Sequence, residues 1–443
     1  MASVLGVYLC FTFTDYTLFL PMKLLKFGGA SVNSIDRIKN LKSIVADYRN
    51  EPLVIIVSAM GKTTNGLEKV AEAFYAGRKE DALNLFEVVK QQHLTNAKYL
   101  LVKQYNECYL QLADFFTEVE WLLHDKPVRN YDYYYDQIVC AGELFSTCII
   151  SHHLTEEGIP NNWMDVRDLL HTDNNFRDAA IDWAYSSARI PEAIRNAKHP
   201  VTITQGFIGA TADNESTTLG REGSDYTAAV FANILHAESV TIWKDVEGIM
   251  NADPKLFPDA ELIDELSYTE VIEMAYYGAQ VIHPKTIKPL QNKLIPLLVK
   301  CFLDPSLPGT IIHRKSAKSL PPIVVVKYNQ VLIHLKTQDF SFVGEEPMSR
   351  LYQLFGKLKI RPNLIQTGAV SLQLCMDNHP EKIDLLAQEA SILFDVQIEK
   401  QLSLLTIRHY NKSVLDQLTA GQQMILRQQT PETIQYVLRG NNL

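Results

Sequence analysis

Two apolar runs that do not alternate with polar residues, LLKF (24–27) and PLVIIV (52–57), constrain the fold most. A strand with one wet face alternates apolar and polar side chains. A run without alternation is buried on both faces, as in a parallel sheet covered by helices. Between the two runs, SIDRIKNLKSIVADYRN (34–50) sets Ile35, Ile38, Leu41 and Val45 on one helical face. Residues 66–125 read as two or three long helices with almost no glycine or proline. Another helix is predicted from Tyr134 through AGELFSTCIISHHL, and strand-like runs recur at 201–210, 238–246 and 294–301. Strand and helix alternating in this way predict an α/β sheet covered on both sides.

Near residue 304 the character changes. DPSLPGTII and SAKSLPP are rich in proline and serine and read as a linker. Beyond it come a strand (IVVVKYNQVLIHLKT), a helix, a strand (GAVSLQLCMD) and a helix, then a shorter set from LSLLTIRHY to PETIQYVL. Two sets of β–α–β units predict two small α+β ferredoxin-like modules, the second one short. A chain of 443 residues suits such a multidomain arrangement. At the other end, residues 1–21 are apolar but lack a positive n-region and carry Asp15, and Met22 stands directly before the first strand. The expected start is Met22, with residues 1–21 a non-native or disordered extension; a secretory signal is the alternative reading.

The net charge of −9 argues against non-specific nucleic-acid binding, which needs clustered Lys and Arg. No membrane span is expected. Six cysteines without a CxxC pair suggest neither a zinc site nor a disulfide framework, which fits a reducing cytoplasm and no metal-ligating residues.

Chemistry concentrates in glycine-bearing turns. GKTT (61–64) imitates the end of a phosphate-binding P-loop, but that motif requires glycine at position 56, which is isoleucine. Four stretches combine strand ends with glycines: KFGGAS (26–31), SAMGKTTNG (58–66), TQGFIGAT (204–211) and TTLGREGSDYTAA (217–229). Glycines let backbone N–H groups approach an anion closely, and a following helix adds its positive end. Ser224 and Asp225 stand where a helix cap belongs, so Asp225 alone reads equally well as a cap or as a functional carboxylate. Arg221 can pair bidentately with a carboxylate or phosphate, though an isolated arginine usually makes a surface ion pair. Glu143 opens a helix in CAGELFS, and WKDVEGIMNADPK (243–255) is either a nucleotide-framing loop or a plain connection.

KFGGASV, SAMGKTTNGL, GELFS, TLGREGSDYTAA, KDVEGIMNADP and GAQVIHPKTI occur in the order and spacing of the aspartokinases, which this sequence resembles over about residues 23–312. The tail is similar to that family's paired ACT regulatory modules. The resemblance implies a three-layer αβα amino acid kinase fold over 22–312 and a tandem ACT-like region over 313–443. It implies transfer of the ATP γ-phosphoryl group to the β-carboxylate of L-aspartate with Mg²⁺, giving 4-phospho-L-aspartate, the first step toward lysine, threonine and methionine. Lys26 and Asp225 would be catalytic, with Lys26 at the moving phosphoryl group and Asp225 organising the lysines and the Mg²⁺ shell. Ser58, Thr64, Glu143, Arg221 and Ser224 would bind aspartate; Gly28, Gly29, Lys244, Asp245, Asp253 and Lys255 would bind nucleotide. A homodimer or higher homo-oligomer and an amino-acid effector at the ACT modules are also implied. With Leu443 as the last residue, no homoserine dehydrogenase portion is expected.

Departures from the family pattern stand at four places. Glu222 replaces a usual glycine beside the substrate pocket, and Gln280 replaces a lysine that assists at the ATP phosphates. In the first ACT-like module Asn363 stands for an aspartate, and Gly368 and Ala369 remove polar groups. Two rival readings are another amino acid kinase, such as acetylglutamate or glutamate kinase, and a catalytically silent amino-acid sensor. The GELFS helix and paired tail count against the first; the retained Lys26, Glu143, Arg221 and Asp225 count against the second.

Overall fold

The apolar runs become adjacent parallel strands. The computed structural model describes residues 22–48, 51–315, 319–339 and 341–440. The extension expected over 1–21 lies outside the described residues. Internal contacts divide the chain into two units, one running up to Leu219 with Val230–Val240, the other comprising Gly220–Ala229 and the chain from Thr241 onward.

The first unit opens with β1 (Lys23–Phe27), a short 3-10 turn (Gly29–Val32) and α1 (Ile35–Ala46), capped by Ser34 accepting from the Arg37 N–H. Then come β2 (Leu53–Val57), α2 (Thr63–Tyr75), α3 (Lys79–Leu100) and α4 (Tyr105–His124). They are followed by α5 (Tyr131–Val139), α6 (Ala141–Glu156), β3 (Asn161–Met164), α7 (Trp183–Arg195), β4 (Val201–Gln205), β5 (Ile208–Ala210) and β6 (Ser216–Thr218). The strands β3-β4-β2-β1 pair in that order, all parallel. Every residue of β2 is fully buried, as the unbroken apolar run requires. The helix expected from Tyr134 is two helices, divided at Cys140. The stretch Tyr131–Glu156 is apolar enough to cross a bilayer, but 89% of its most apolar window is buried inside the protein. A helix apolar all round is here a core helix.

In the second unit lie most of α8 (Gly223–Leu235) and of β7 (Ser239–Lys244), then β8 (Glu265–Ser267), α9 (Tyr268–Tyr277), α10 (Pro284–Lys293), β9 (Leu297–Cys301) and β10 (Thr310–His313). β10 pairs antiparallel with β9 and parallel with β8. Beyond them β11 (Ile323–Thr337), α11 (Glu345–Leu358), β12 (Leu364–Thr367), β13 (Ser371–Asp377), α12 (Pro380–Ala390), β14 (Phe394–Arg408), α13 (Lys412–Thr419), β15 (Met424–Gln429) and β16 (Thr433–Arg439) build one antiparallel sheet. Its order is β12-β13-β11-β14-β16-β15.

The register shows how two modules share this sheet. Residues 330–337 of β11 pair with 394–402 of β14, and with β12, β13, α11 and α12 they form a β–α–β–β–α–β module. Residues 323–327 pair instead with 404–408, next to β16 and β15. The two modules are therefore nested, not strictly tandem: the first is inserted into the second. The switch falls at a bulge where Asn329 and Gln401 take positive φ. Among the described residues the outer module carries one helix, α13, which packs Val414, Leu415 and Leu418 on Leu405, Ile407 and Tyr436.

Candidate active site

The end of β1 carries the cation. Lys26 is buried, and its ammonium lies 3.5 Å from where a Cβ on Gly28 would sit, so the side chain folds back over the glycine turn. Gly29 has no room for a side chain: a Cβ there would stand 2.7 Å from the Ala59 carbonyl. The Gly61 N–H donates to the Gly29 carbonyl at 3.0 Å, tying the first glycine turn to the second. Ser58 follows β2, its N–H donating to Phe27 O at 3.1 Å and its carbonyl accepting from the Ser146 hydroxyl at 2.7 Å. Thr64 lies in the first turn of α2, half-buried.

Glu143 occupies the first turn of α6 and is only 3% exposed. Burial pushes its carboxyl up to about 8, against the Lys26 charge and the Ala59 N–H that hold it down. Its Oε2 has no hydrogen-bond partner among the described residues. A buried carboxylate oxygen without a donor, in the neighbourhood of a lysine, is poised for a cationic ligand group.

A helix cap was one of the two readings of Asp225, at the position it shares with Ser224. The helix instead begins at Gly223, and the first i→i+4 bond runs from the Tyr226 N–H to the Glu222 carbonyl at 3.1 Å. Both residues therefore sit inside the first turn of α8, buried, at its positive end. Lys244 at the end of β7 lies 3.9 Å from Asp225 Oδ2 and donates to Val281 O at 2.9 Å. Arg221 is exposed. Glu222, at φ +53, turns its carboxylate to the His283 N–H at 2.8 Å and so caps the start of α10. The glutamate that stands for the family's glycine is here a structural brace.

A cavity of about 660 Å³ lies in the second unit, lined by Lys244, the loop Val246–Phe257, Gly278–Val281 and Ile323–Val326. Asp253 and Lys255 belong to its wall, joined by the Lys255 N–H donating to Asp253 Oδ1 at 2.9 Å; Asp245 is exposed and outside the lining. Gln280, in place of a lysine, also lines it. The size and mixed lining suit a nucleotide. Gly278 must be glycine, because it takes φ +108 and a Cβ would lie 2.2 Å from Lys327 Cε.

Sequence reasoning missed the residues that hold these loops. Asp136 in α5 accepts from the Arg177 N–H (3.0 Å), the Thr218 N–H (2.8 Å) and the Thr218 hydroxyl (2.7 Å). Gln137 brackets Ser216, donating to its carbonyl at 2.7 Å and accepting from its N–H at 3.0 Å. Two consecutive side chains thus pin β6, the strand that leads into Gly220 and Arg221. Their only sequence signal is a pair of polar residues ahead of an apolar helix.

A model of the amino acid kinase family matches residues 21–301. Lysine-sensitive aspartokinase 3 of Escherichia coli is 31% identical over 394 residues, 86% of each chain. Aspartokinase 1 of Arabidopsis thaliana is 31% identical, over 82% of this chain and 65% of that one. The maize bifunctional aspartokinase/homoserine dehydrogenase 1 is 32% identical over 66% of this chain, which spans only 32% of its length. Among solved structures, E. coli aspartokinase III with aspartate and ADP superposes with a TM-score of 0.77 at 27% identity, over 95% of this chain and 96% of that one. The same enzyme with lysine and aspartate gives 0.77 at 26%. The lysine–glycine turn, the buried glutamate and the matched length place this chain in the amino acid kinase family and, within it, among the aspartokinases.

Proposed function

We propose that this protein phosphorylates the β-carboxylate of L-aspartate with ATP. The acceptor is already ionised at neutral pH, so no general base is required. The obstacle is an anion approaching a polyanion, which positioning and charge neutralisation overcome. Lys26 stabilises the charge on the phosphoryl group in transit, and the Gly28–Gly29 turn offers backbone amides to phosphate oxygens. Glu143 takes the substrate ammonium and Arg221 its α-carboxylate, with Ser58, Thr64 and Ser224 completing the aspartate contacts. Lys244, Asp253 and Lys255 hold the nucleotide, with Asp245 at the mouth of that loop. The observation that carries the reading is the buried Glu143 with its unpartnered Oε2. An amino acid's ammonium satisfies that oxygen.

Mg²⁺ uses few protein carboxylates and several phosphate oxygens. The buried Asp225 fits as its protein-side carboxylate, and the ion would neutralise phosphate charge there. We further propose that residues 22–312 form the catalytic domain and 313–443 the regulatory region, in a cytoplasmic homodimer. The decisive experiment measures ATP- and Mg²⁺-dependent aspartyl hydroxamate formation by the intact protein, with glutamate and N-acetylglutamate as competing acceptors. Turnover with aspartate alone is expected. A folded protein that turns over none of them, or prefers another acceptor, overturns the proposal.

A further inference from the structure

Away from these loops, α4 and α6 bring three ligating side chains together that no sequence spacing announces. On α6, Cys148 and His152 are one turn apart, and on α4 Cys108 faces them. Cys108 Sγ and Cys148 Sγ are 3.9 Å apart, and the two sulfurs and a ring nitrogen of His152 all lie within 4.8 Å of one another. Tetrahedral coordination with Zn–S of about 2.3 Å places two sulfurs about 3.8 Å apart. The observed 3.9 Å is a thiol–thiol contact that also matches the spacing of a ligand pair around a cation.

The surroundings are built for it as well. His152 faces the Gln104 amide oxygen at Nδ1 and the Gln111 amide oxygen at Nε2, both at 3.1 Å. A neutral imidazole carries a single N–H, so it can donate to one of these two oxygens and not to both. A cation on one nitrogen resolves the mismatch: the other nitrogen keeps its proton and donates to its glutamine, the support that ligating histidines require. One turn beyond His152, Glu156 accepts from the Val102, Lys103 and Gln104 N–H groups at 2.9–3.0 Å, fixing the start of α4 against α6. Both sulfurs are fully buried, and His152 is partly exposed, which gives an ion a way in.

We propose that Cys108, Cys148 and His152 form a binding site for a thiophilic divalent cation of the Zn²⁺ type, clamping α4 to α6. Two thiolates, a neutral imidazole and a dication sum to zero charge, the arrangement a buried site tolerates. Entry of the ion displaces one proton from each thiol to solvent, so binding weakens on acidification.

The test uses the full-length reduced protein, with Zn²⁺ in equilibrium dialysis and Co²⁺ as the spectroscopic probe. One Zn²⁺ per chain is expected, with Co²⁺ giving tetrahedral d–d bands and a thiolate charge-transfer band that shrink from pH 8 to pH 6. Cys148→Ser should weaken Zn²⁺ binding by more than about 100-fold and His152→Gln by at least about tenfold. Cys140→Ser should leave it unchanged. If wild-type protein gives no thiolate–Co²⁺ band, or Cys148→Ser binds Zn²⁺ as before, the site is refuted. Loss of two thiols to a Cys108–Cys148 disulfide with glutathione disulfide, in a protein that takes up no Zn²⁺, would also refute it. Hydroxamate formation is read separately, so failure here leaves the kinase assignment intact.

Discussion

At the scale of single residues, Glu143 governs the pH behaviour of the site. Its carboxyl titrates at about 8 when buried without a ligand, well above the ordinary carboxylate range. A raised folded-state value means that its contribution to stability is complete below the ordinary value. That contribution is lost as pH rises toward 8. The ligand-free protein should therefore lose stability between about pH 5 and 8 from this group, measurable as a falling denaturation midpoint. An ammonium ligand reverses the preference, so binding aspartate expels a proton, and KM for aspartate should fall as pH rises from 6.5 to 8.5. Glu143→Gln should raise KM by roughly 30- to 100-fold, the loss of a charge-assisted hydrogen bond, and flatten that pH dependence. Lys26 makes the complementary case. Lys26→Ala should cut kcat by at least about 100-fold while aspartate binding changes little, because its contribution belongs to the transition state. Steady-state kinetics separate the two variants.

Among the elements, the parts most readable in sequence were those whose pattern has only one explanation. β2 could be assigned because Leu53–Val57 has no polar position, and α1 because Ile35, Ile38, Leu41 and Val45 recur on one helical face. The start of α8 was not readable: Ser224 and Asp225 have cap chemistry, but the backbone reversal at Gly220 and Glu222 starts the helix earlier. β3 was missed because the edge strand NNWM is half-buried throughout and shows neither an apolar run nor alternation. The lysine, the glycines and the glutamate of the site were legible as motifs; the braces Asp136, Gln137 and Glu222 were not, because their partners lie far along the chain or in the backbone. The same holds for Arg408 at the end of β14. It forks onto Glu270 in the first turn of α9 at 2.7 and 2.8 Å and reaches Thr433 at 2.8 Å, all buried. Since α9 ends at Gly278 beside the 660 Å³ cavity, this pair ties the C-terminal sheet to the cavity wall. Arg408→Leu takes both guanidinium hydrogen bonds from the buried Glu270 and leaves it facing His409 Nε2 at 3.1 Å, with an expected cost of about 3 kcal/mol in urea unfolding. The double change Arg408→Leu with Glu270→Gln should recover part of it.

For the whole molecule, the C-terminal sheet departs from the family pattern at the position that bears on effector binding. Asn363, standing where the family commonly has aspartate, is fully engaged within the sheet. It accepts from Lys327 at 2.8 Å and donates to Gln330 Oε1 at 2.8 Å and Asp377 Oδ1 at 3.0 Å. A ligand ammonium finds an amide there in place of a carboxylate, and that amide oxygen already accepts from the Lys327 ammonium. Lysine titrated into the hydroxamate assay should therefore leave turnover unchanged, in contrast to the lysine-sensitive relative; inhibition would show that another group replaces the missing acid.

The nesting of the two modules reaches beyond regulation. Lys327 already pairs with Leu404, and Gln330 with Leu402, so the ends of the inserted segment stand side by side on neighbouring strands. Removing what lies between and joining the ends by a short turn leaves an ordinary antiparallel hairpin. The molecule thus carries its own splice point: an ancestor with one module could have acquired the other without rebuilding a strand. A present-day engineer can exchange that inner cassette among relatives while the hairpin that walls the 660 Å³ cavity stays in place.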